Sequence, residues 1–289
     1  MGKLHRYIIN MLQEYLLFND EFHAVDVPVL MASNRSFKFG DGLFESMRMI
    51  NNKLQFADLH ADRLTAGMKA LKIDGHALMD DYFLRQKTAD LAKRNKWNGN
   101  VRFRLSVYRG GAGVYTPEIN KAGYVLEGIP LKASTYELNS KGLIIDVFDE
   151  ITKPVNKLSN FKTSNALLYV MAGIFKSQNR LDEAMILNQY GFLCESISAN
   201  VFVVYNKQIY TPSLAEGCVS GVMRTAIMQL CKMNDMPLTE AQINPEILKE
   251  AEEVFITNAT QGIQWVMGYG RKRYFNEVSK FLIEKLNAM

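Results

Sequence analysis

Cysteine is scarce in this chain: there are three in 289 residues, Cys194, Cys218 and Cys231. Their number is odd and their spacing is neither CxxC nor that of a metal-ligand set, which excludes a disulfide framework and points to a reducing, cytoplasmic setting. The four histidines are dispersed and form no ligand pair, so no metal is expected. An excess of one charge is also missing. Lys plus Arg number 34 against 30 Asp plus Glu, and the positive residues are scattered, so there is no footprint for nucleic acid. Long hydrophobic runs are absent too. The most apolar stretch near the start, residues 7–18, is interrupted by Asn10, Gln13 and Glu14, falls short of the ~20 residues a spanning helix needs, and lacks a small-residue cleavage site. We read it as the opening folded segment of a domain and expect no membrane partner. No repeat or low-complexity tract is visible, which sets aside solenoids and propellers.

What remains is an ordinary globular composition, 48% hydrophobic and 22% charged, which excludes a disordered chain. The length suits two domains of roughly 100 to 200 residues. Residues 101–108, Val101-Arg102-Phe103-Arg104-Leu105-Ser106-Val107-Tyr108, alternate apolar and polar side chains, the period of a half-buried strand. Arg109-Gly110-Gly111 ends it in a turn. Further strands are expected over 124–129, 143–148, 184–187, 201–205 and 254–256, each bounded by Gly, Asn, Asp or Pro. Helical periodicity joins Leu64, Met68 and Leu71; Leu167, Leu168, Met171, Ile174 and Phe175; and Val278, Phe281, Leu282 and Leu286. The fold class is therefore mixed α/β. A linker at Ile129-Pro130-Leu131-Lys132-Ala133-Ser134-Thr135 divides a smaller domain, 1–130, from a larger one, 131–289.

One passage is far more specific. Glu195-Ser196-Ile197-Ser198-Ala199-Asn200-Val201-Phe202, then Ile209-Tyr210-Thr211, then Val219-Ser220-Gly221-Val222-Met223-Arg224, resembles the signature of the class IV aminotransferases from end to end. Phe39-Gly40-Asp41-Gly42-Leu43-Phe44-Glu45, His60-Ala61-Asp62-Arg63-Leu64 and Asn160-Phe161-Lys162-Thr163-Ser164-Asn165 extend the resemblance over nearly the whole chain. It implies a fold-type IV architecture: two α/β domains, pyridoxal 5'-phosphate in the cleft between them, and a homodimer.

The resemblance also assigns residues. Lys162 matches the Schiff-base lysine, since a primary amine can capture the cofactor aldehyde and, once displaced by substrate, move protons. Glu195 matches the acid that faces the pyridine nitrogen. Arg63, the turn Ser220-Gly221-Val222-Met223 leading into a helix from about Val222, and the loop Asn258-Ala259 after a strand match the phosphate contacts, where a guanidinium and helix N-terminal amides suit an anion. Many aminotransferases of the family have threonine where Ala259 stands, so a backbone contact must serve there. His60 is expected to pack around Arg63.

The substrate side separates the family's branches. D-amino-acid aminotransferases usually carry tyrosine where Phe44 stands. Branched-chain aminotransferases typically have a Gly-Thr-Ala type loop at Asn258-Ala259-Thr260 and often tyrosine at Ala166. The 4-amino-4-deoxychorismate lyases are more similar in Asn258-Ala259, in Tyr210-Thr211-Pro212 running on to Gly221-Val222-Met223-Arg224, and in Arg109-Gly110-Gly111, although they often have arginine at Ala166. The expected reaction is thus conversion of 4-amino-4-deoxychorismate to 4-aminobenzoate and pyruvate, with Phe44 and Arg109 on the substrate side and Arg109 holding a carboxylate. The alternatives are a branched-chain aminotransferase, then a D-amino-acid aminotransferase, and outside enzymes a member that binds cofactor without turnover.

Overall fold

A computed structural model describes residues 14–289. Of the opening stretch, 7–13 lie outside the described residues, and its end is a strand. Six strands form the first sheet: β1 Tyr15–Phe18, β2 Glu21–Ala24, β3 Gly42–Ile50, β4 Lys53–Leu54, β5 Val101–Arg109 and β6 Ala122–Pro130, in the order β2-β1-β6-β5-β3-β4. Every pairing within it is antiparallel. Three helices accompany these strands: α1 Arg35–Phe39, α2 Ala57–Ala70 and α3 Asp81–Arg94.

Alternation decides which face of this sheet is buried. On β5, Val101, Phe103, Leu105 and Val107 are at most 1% exposed. They pack with Met47 and Met49 of β3, Leu64 and Met68 of α2, and Leu84 and Leu91 of α3. The register sets Phe44 opposite Ser106 and Ser46 opposite Arg104, so Phe44, Ser46, Arg102 and Arg104 share the other face. A one-residue slip would exchange the two sets, and burial of the apolar set holds the register.

The second sheet begins after residue 142. It contains β7 Leu143–Lys153, β8 Glu183–Asn188, β9 Leu193–Ser196, β10 Asn200–Tyr205, β11 Gln208–Pro212, β12 Leu238–Ala241, β13 Glu253–Asn258, β14 Gly262–Tyr269 and β15 Lys272–Arg273. Its order is β12-β11-β10-β13-β14-β7-β8-β9, with β15 on β14. Three more helices belong here: α4 Leu167–Gln178, α5 Val222–Met233 and α6 Glu277–Asn287. Strand β10 is apolar without alternation because both its faces are covered. Phe202 packs with Ile227 of α5 and Leu282 of α6, while Val201 and Val203 pack with Leu248 and Ala251. Phe202 and Phe255, paired across β10 and β13, stack with centroids 5.0 Å apart.

Two helical stripes differ from expectation. Leu168, Met171 and Phe175 of α4 pack against β7 and β8, but Leu167 and Ile174 are exposed, along with Val170. Spacings of three and seven residues put those three on a second apolar face of the helix, turned to solvent. On α6 Phe281 is 38% exposed, and Ile283 takes its place in the core beside Leu282 and Leu286.

Candidate active site

The polar face of the first sheet and the edge of the second enclose a cavity of about 810 Å³. Phe44, Ser46, Arg63, Arg102 and Arg104 line it from one side, and Lys153, Lys162, Tyr169, Glu195, Val222, Met223, Thr257, Asn258 and Ala259 from the other.

Lys162 lies in the segment between β7 and α4, which is stitched to β3. The Phe44 N–H donates to the Lys162 carbonyl (2.9 Å), and the Ser164 N–H to the Gly42 carbonyl (2.9 Å). The backbone of the lysine is therefore fixed by the other sheet. Among the described residues its Nζ makes no hydrogen bond or ion pair, and it stands 4.6 Å from the centroid of the Phe44 ring. Burial, with Arg63 nearby, lowers its proton affinity from 10.5 to about 8. A neutral amine is thus accessible near neutral pH.

Glu195, near the end of β9, is held from three directions. Lys153 and the Tyr169 hydroxyl (2.6 Å) both donate to Oε1, and the Val219 N–H donates to Oε2 (2.7 Å). Burial works against the charge on Lys153, but Glu195 outweighs it and holds the ammonium protonated far above the usual range. Sequence reasoning missed Lys153 and Tyr169. The first ends β7 and the second sits on the cavity side of α4, positions that only the fold brings to Glu195.

A third cluster lies at the far end. Arg63, on α2, directs Nε (2.8 Å) and Nη2 to the Glu45 carboxylate and Nη1 to the Ser220 carbonyl (3.0 Å). Its fork is therefore spent on Glu45, and one N–H remains on each terminal nitrogen. His60 is fully buried, and its Nδ1 lies 2.6 Å from Glu45. Burial lowers the proton affinity of His60, so the neutral ring donates to the carboxylate. For Glu45 burial alone would raise the pKa, but Arg63 and His60 prevail and bring it to about 2. Glu45 ends the motif that runs from Phe39. Its role is to aim Arg63, and His60 packs on the same group as expected.

Facing Arg63 is the N-terminus of α5. Gly221 is its N-cap, and no side chain caps it. A Cβ on Gly221 would come within 1.7 Å of Asn200 Oδ1, so only glycine lets the helix start so close to β10. The first-turn amides of Val222 and Met223 remain free for an anion. Thr257 Oγ1 is buried at the cavity wall with no partner among the described residues, and Asn258 Oδ1 turns the next loop by accepting the N–H groups of Thr260 (3.1 Å) and Gln261 (2.8 Å). Two orphaned helix amides, an orphaned hydroxyl and a guanidinium are the donor set that a phosphate monoester requires. An unprotonated lysine nearby suits an aldehyde. On these observations the residues present fit pyridoxal 5'-phosphate.

Two expectations need correction. Ser220 is beside this cluster, but its N–H donates to the Asn160 carbonyl (2.9 Å) and its carbonyl accepts from Arg63, so its backbone is not available to a phosphate. Arg109 lies outside the main cavity. Its donors are consumed by Asp41 (3.0 Å), the carbonyls of Lys72 (2.8 Å) and Leu71 (2.6 Å), and Asn120 (2.5 Å). It braces the loop after β5 with four of its five N–H groups and, being outside the main cavity, is not placed to hold a substrate carboxylate there.

Comparison with known proteins agrees with this arrangement. Residues 42–267 match the family described as amino-transferase class IV. D-alanine aminotransferase of Listeria innocua is 28% identical over 85% of this chain and 84% of its own length. Aminodeoxychorismate lyase of Vibrio harveyi is 23% identical over 81% and 85%. A branched-chain-amino-acid aminotransferase-like protein of Arabidopsis thaliana is 25% identical over 75% of this chain, which spans only 39% of that protein. Among solved structures, the branched-chain amino acid aminotransferase of Escherichia coli superposes with a TM-score of 0.85 at 19% identity, covering 96% of this chain and 94% of that one. The branched-chain aminotransferase of Thermobaculum terrenum, solved in its pyridoxal-phosphate form, gives 0.82 at 18%, covering 94% and 92%. With its fold and the residues of its cleft accounted for, the chain belongs to the class IV aminotransferases, enzymes whose cofactor is pyridoxal 5'-phosphate.

Proposed function

We propose that this enzyme is a lyase that converts 4-amino-4-deoxychorismate to 4-aminobenzoate and pyruvate. The observation that carries the reading is the wall opposite Lys162. A cavity of about 810 Å³ leaves space for a ring-sized substrate beside the cofactor, and its substrate side is made by Ser46, Arg102 and Arg104 instead of an apolar slot. A branched aliphatic side chain would leave those guanidinium groups unpaired, whereas a cyclic acid with two carboxylates would meet them. The loop Asn258-Ala259 supports the same choice.

In this reading Lys162 carries the cofactor, and Arg63, the amides of Val222 and Met223, Thr257 Oγ1 and the Ala259 backbone surround the phosphate. Bound there, the cofactor would supply an electron-accepting ring that stabilises the electrons left when a bond to the amino-bearing carbon breaks. Glu195, fixed by Lys153 and Tyr169, would face the ring nitrogen. Lys162, released by the substrate amine, takes the proton from the amino-bearing carbon. It then delivers that proton to the three-carbon unit that leaves as pyruvate. In a transaminase the same amine would return the proton elsewhere. Phe44 backs Lys162 and offers no hydroxyl to the substrate. We further propose domains at 1–130 and 131–289 and a homodimer, for which the exposed stripe Leu167, Val170 and Ile174 on α4 is the supporting surface.

The test is direct: supply 4-amino-4-deoxychorismate with no keto acid and measure 4-aminobenzoate and pyruvate. Equal amounts of both are expected. Neither product, together with glutamate formed from leucine or valine plus 2-oxoglutarate, would replace the lyase with a transaminase.

A further inference from the structure

The turn between β13 and β14, residues 258–261, lines the cavity together with Thr257 and the first residues of α5. Its two middle carbonyls are both claimed by distant side chains. The Ala259 carbonyl accepts from the Tyr136 hydroxyl (3.2 Å), and the Thr260 carbonyl from Arg48 Nη1 (2.8 Å). A trans peptide directs its N–H opposite to its C=O, and the N–H groups of these same two peptides, on Thr260 and Gln261, both donate to Asn258 Oδ1 (3.1 and 2.8 Å). The two peptide planes after Ala259 are therefore fixed from both ends. The N–H of Ala259 itself donates to nothing among the described residues.

Neither side chain that holds the turn belongs to β13 or β14. Arg48 comes from β3, on the face that carries Phe44 and Ser46, and Tyr136 follows the linker. Arg48 is 5% exposed and forms no ion pair among the described residues. Its other hydrogen bonds go to the linker carbonyls of Ala133 (3.2 Å) and Thr135 (2.6 Å), its Nε has no partner among the described residues, and its guanidinium carbon lies 4.7 Å from the centroid of the Tyr136 ring. Burying a guanidinium without a carboxylate is costly, and a neutral donor would brace the same carbonyls without that cost. Tyr136 is anchored in turn: its N–H donates to Asn287 Oδ1 (2.9 Å) and its carbonyl accepts from Asn287 Nδ2 (2.8 Å). Gly262 lets the ring come up against the turn, since a Cβ there would lie 2.7 Å from Tyr136 Cδ1.

We propose that Arg48, assisted by Tyr136, is a positioning residue for the cofactor phosphate: it fixes the backbone at Ala259 so that the turn meets the phosphate already shaped, with a positive charge behind it. Arg48 acts through the Ala259-Thr260 backbone and does not touch the cofactor. The proposal rests on the reading that sets the phosphate against Val222, Met223 and Thr257, and it is independent of the reaction that follows. One strand of the first sheet then governs three parts of the site. On β3 the Phe44 N–H holds the Lys162 backbone, Glu45 aims Arg63, and Arg48 holds the turn.

The experiment titrates the apoenzyme with pyridoxal phosphate and, separately, with pyridoxal, which differs from it only in lacking the phosphate. Arg48→Met is expected to weaken pyridoxal phosphate ~10-fold while leaving pyridoxal within ~2-fold, and Tyr136→Phe to act in the same selective way by ~3-fold. Arg48→Lys should recover part of the loss, because it returns the charge without the fork. The phosphorus resonance of the bound cofactor should move in each variant. Thr257→Val probes the phosphate site directly and should also weaken pyridoxal phosphate alone. If Arg48→Met does not fold, Arg48→Lys and Tyr136→Phe carry the test. Wild-type affinity in these variants, alongside a loss in Thr257→Val, overturns the role of Arg48. An equal loss for both ligands overturns it as well, since a general loosening of the fold would give that result. Wild-type affinity in Thr257→Val removes the phosphate from this wall, and the proposal falls with the reading it rests on.

Discussion

The lowered proton affinity of Lys162 makes the capture of an aldehyde strongly dependent on pH in a range where an ordinary lysine would be inert. With its pKa at about 8, about a quarter of the amine is neutral at pH 7.5, whereas at the usual 10.5 only about one part in a thousand would be, a ratio of roughly 200. The assay traps pyridoxal on the apoenzyme with cyanoborohydride and locates the modified lysine by peptide mass spectrometry. Using pyridoxal without its phosphate separates the amine from the anion cradle. Labelling of Lys162 should rise with a midpoint near pH 8, while surface lysines follow with a midpoint above 10. A midpoint for Lys162 equal to theirs would refute the argument that burial and Arg63 discharge it.

The same shift has a consequence for stability in an alkaline window. Between about pH 8 and 10.5 the unfolded chain binds the proton that the folded apoenzyme has released. Stability contributed by this group therefore rises with pH across that window, by ~3 kcal/mol in all. Denaturant midpoints of the apoenzyme and of Lys162→Met, measured from pH 7.5 to 10, should diverge in that direction.

Glu45 titrates with the same sign in an acidic window. Its pKa falls from 4.5 to about 2 in the folded chain, so its contribution of ~3 kcal/mol is present above pH 4.5 and disappears as pH falls toward 2. Glu45→Gln should flatten acid unfolding in that window and, by freeing Arg63 to swing, weaken pyridoxal phosphate binding at least ~10-fold by equilibrium titration. Lys153→Met should destabilise the protein by ~3–5 kcal/mol in chemical denaturation, because Glu195 is left buried with only Tyr169 and the Val219 amide. Leu167→Lys, on the apolar stripe of α4, should shift the protein toward monomer in analytical ultracentrifugation without moving its melting temperature by more than a few degrees.

How much of this was legible beforehand depends on the range of the interaction. Strand β5 could be read because alternation is a local property, and α5 began at Val222 as its glycine turn implied. Motifs of fixed spacing singled out Lys162 and Glu195, and the fold brings both to one cavity. Arg109 could not be read correctly. As a sequence feature it is an arginine at a strand end, and only the fold shows Asp41, Leu71, Lys72 and Asn120 closing around it. Lys153 and Tyr169 gave no signal because their shared partner is 42 and 26 residues away. The stripe on α4 was overfilled for a related reason: its apolar residues cover two faces, and periodicity does not say which one the sheet will take.

Arg104 shows why the reaction was harder to read than the cofactor. It sits in the most regular segment of the chain, at a polar position of an alternating strand, where an arginine ordinarily turns to water. Three placements change its meaning: Phe44 lies beside it on the neighbouring strand, Lys162 Nζ stands 4.6 Å from the centroid of the same ring, and Glu127, its acid neighbour among the described residues, is 3.9 Å away on a largely exposed side chain. Each placement is a tertiary fact. The lysine and the anion cradle serve the cofactor that this family shares, so a family signature can carry them. In the reaction proposed above, the groups that meet the rest of the substrate have no such constraint, so the choice between lyase and transaminase would turn on cavity side chains such as Arg104, which no spacing reveals.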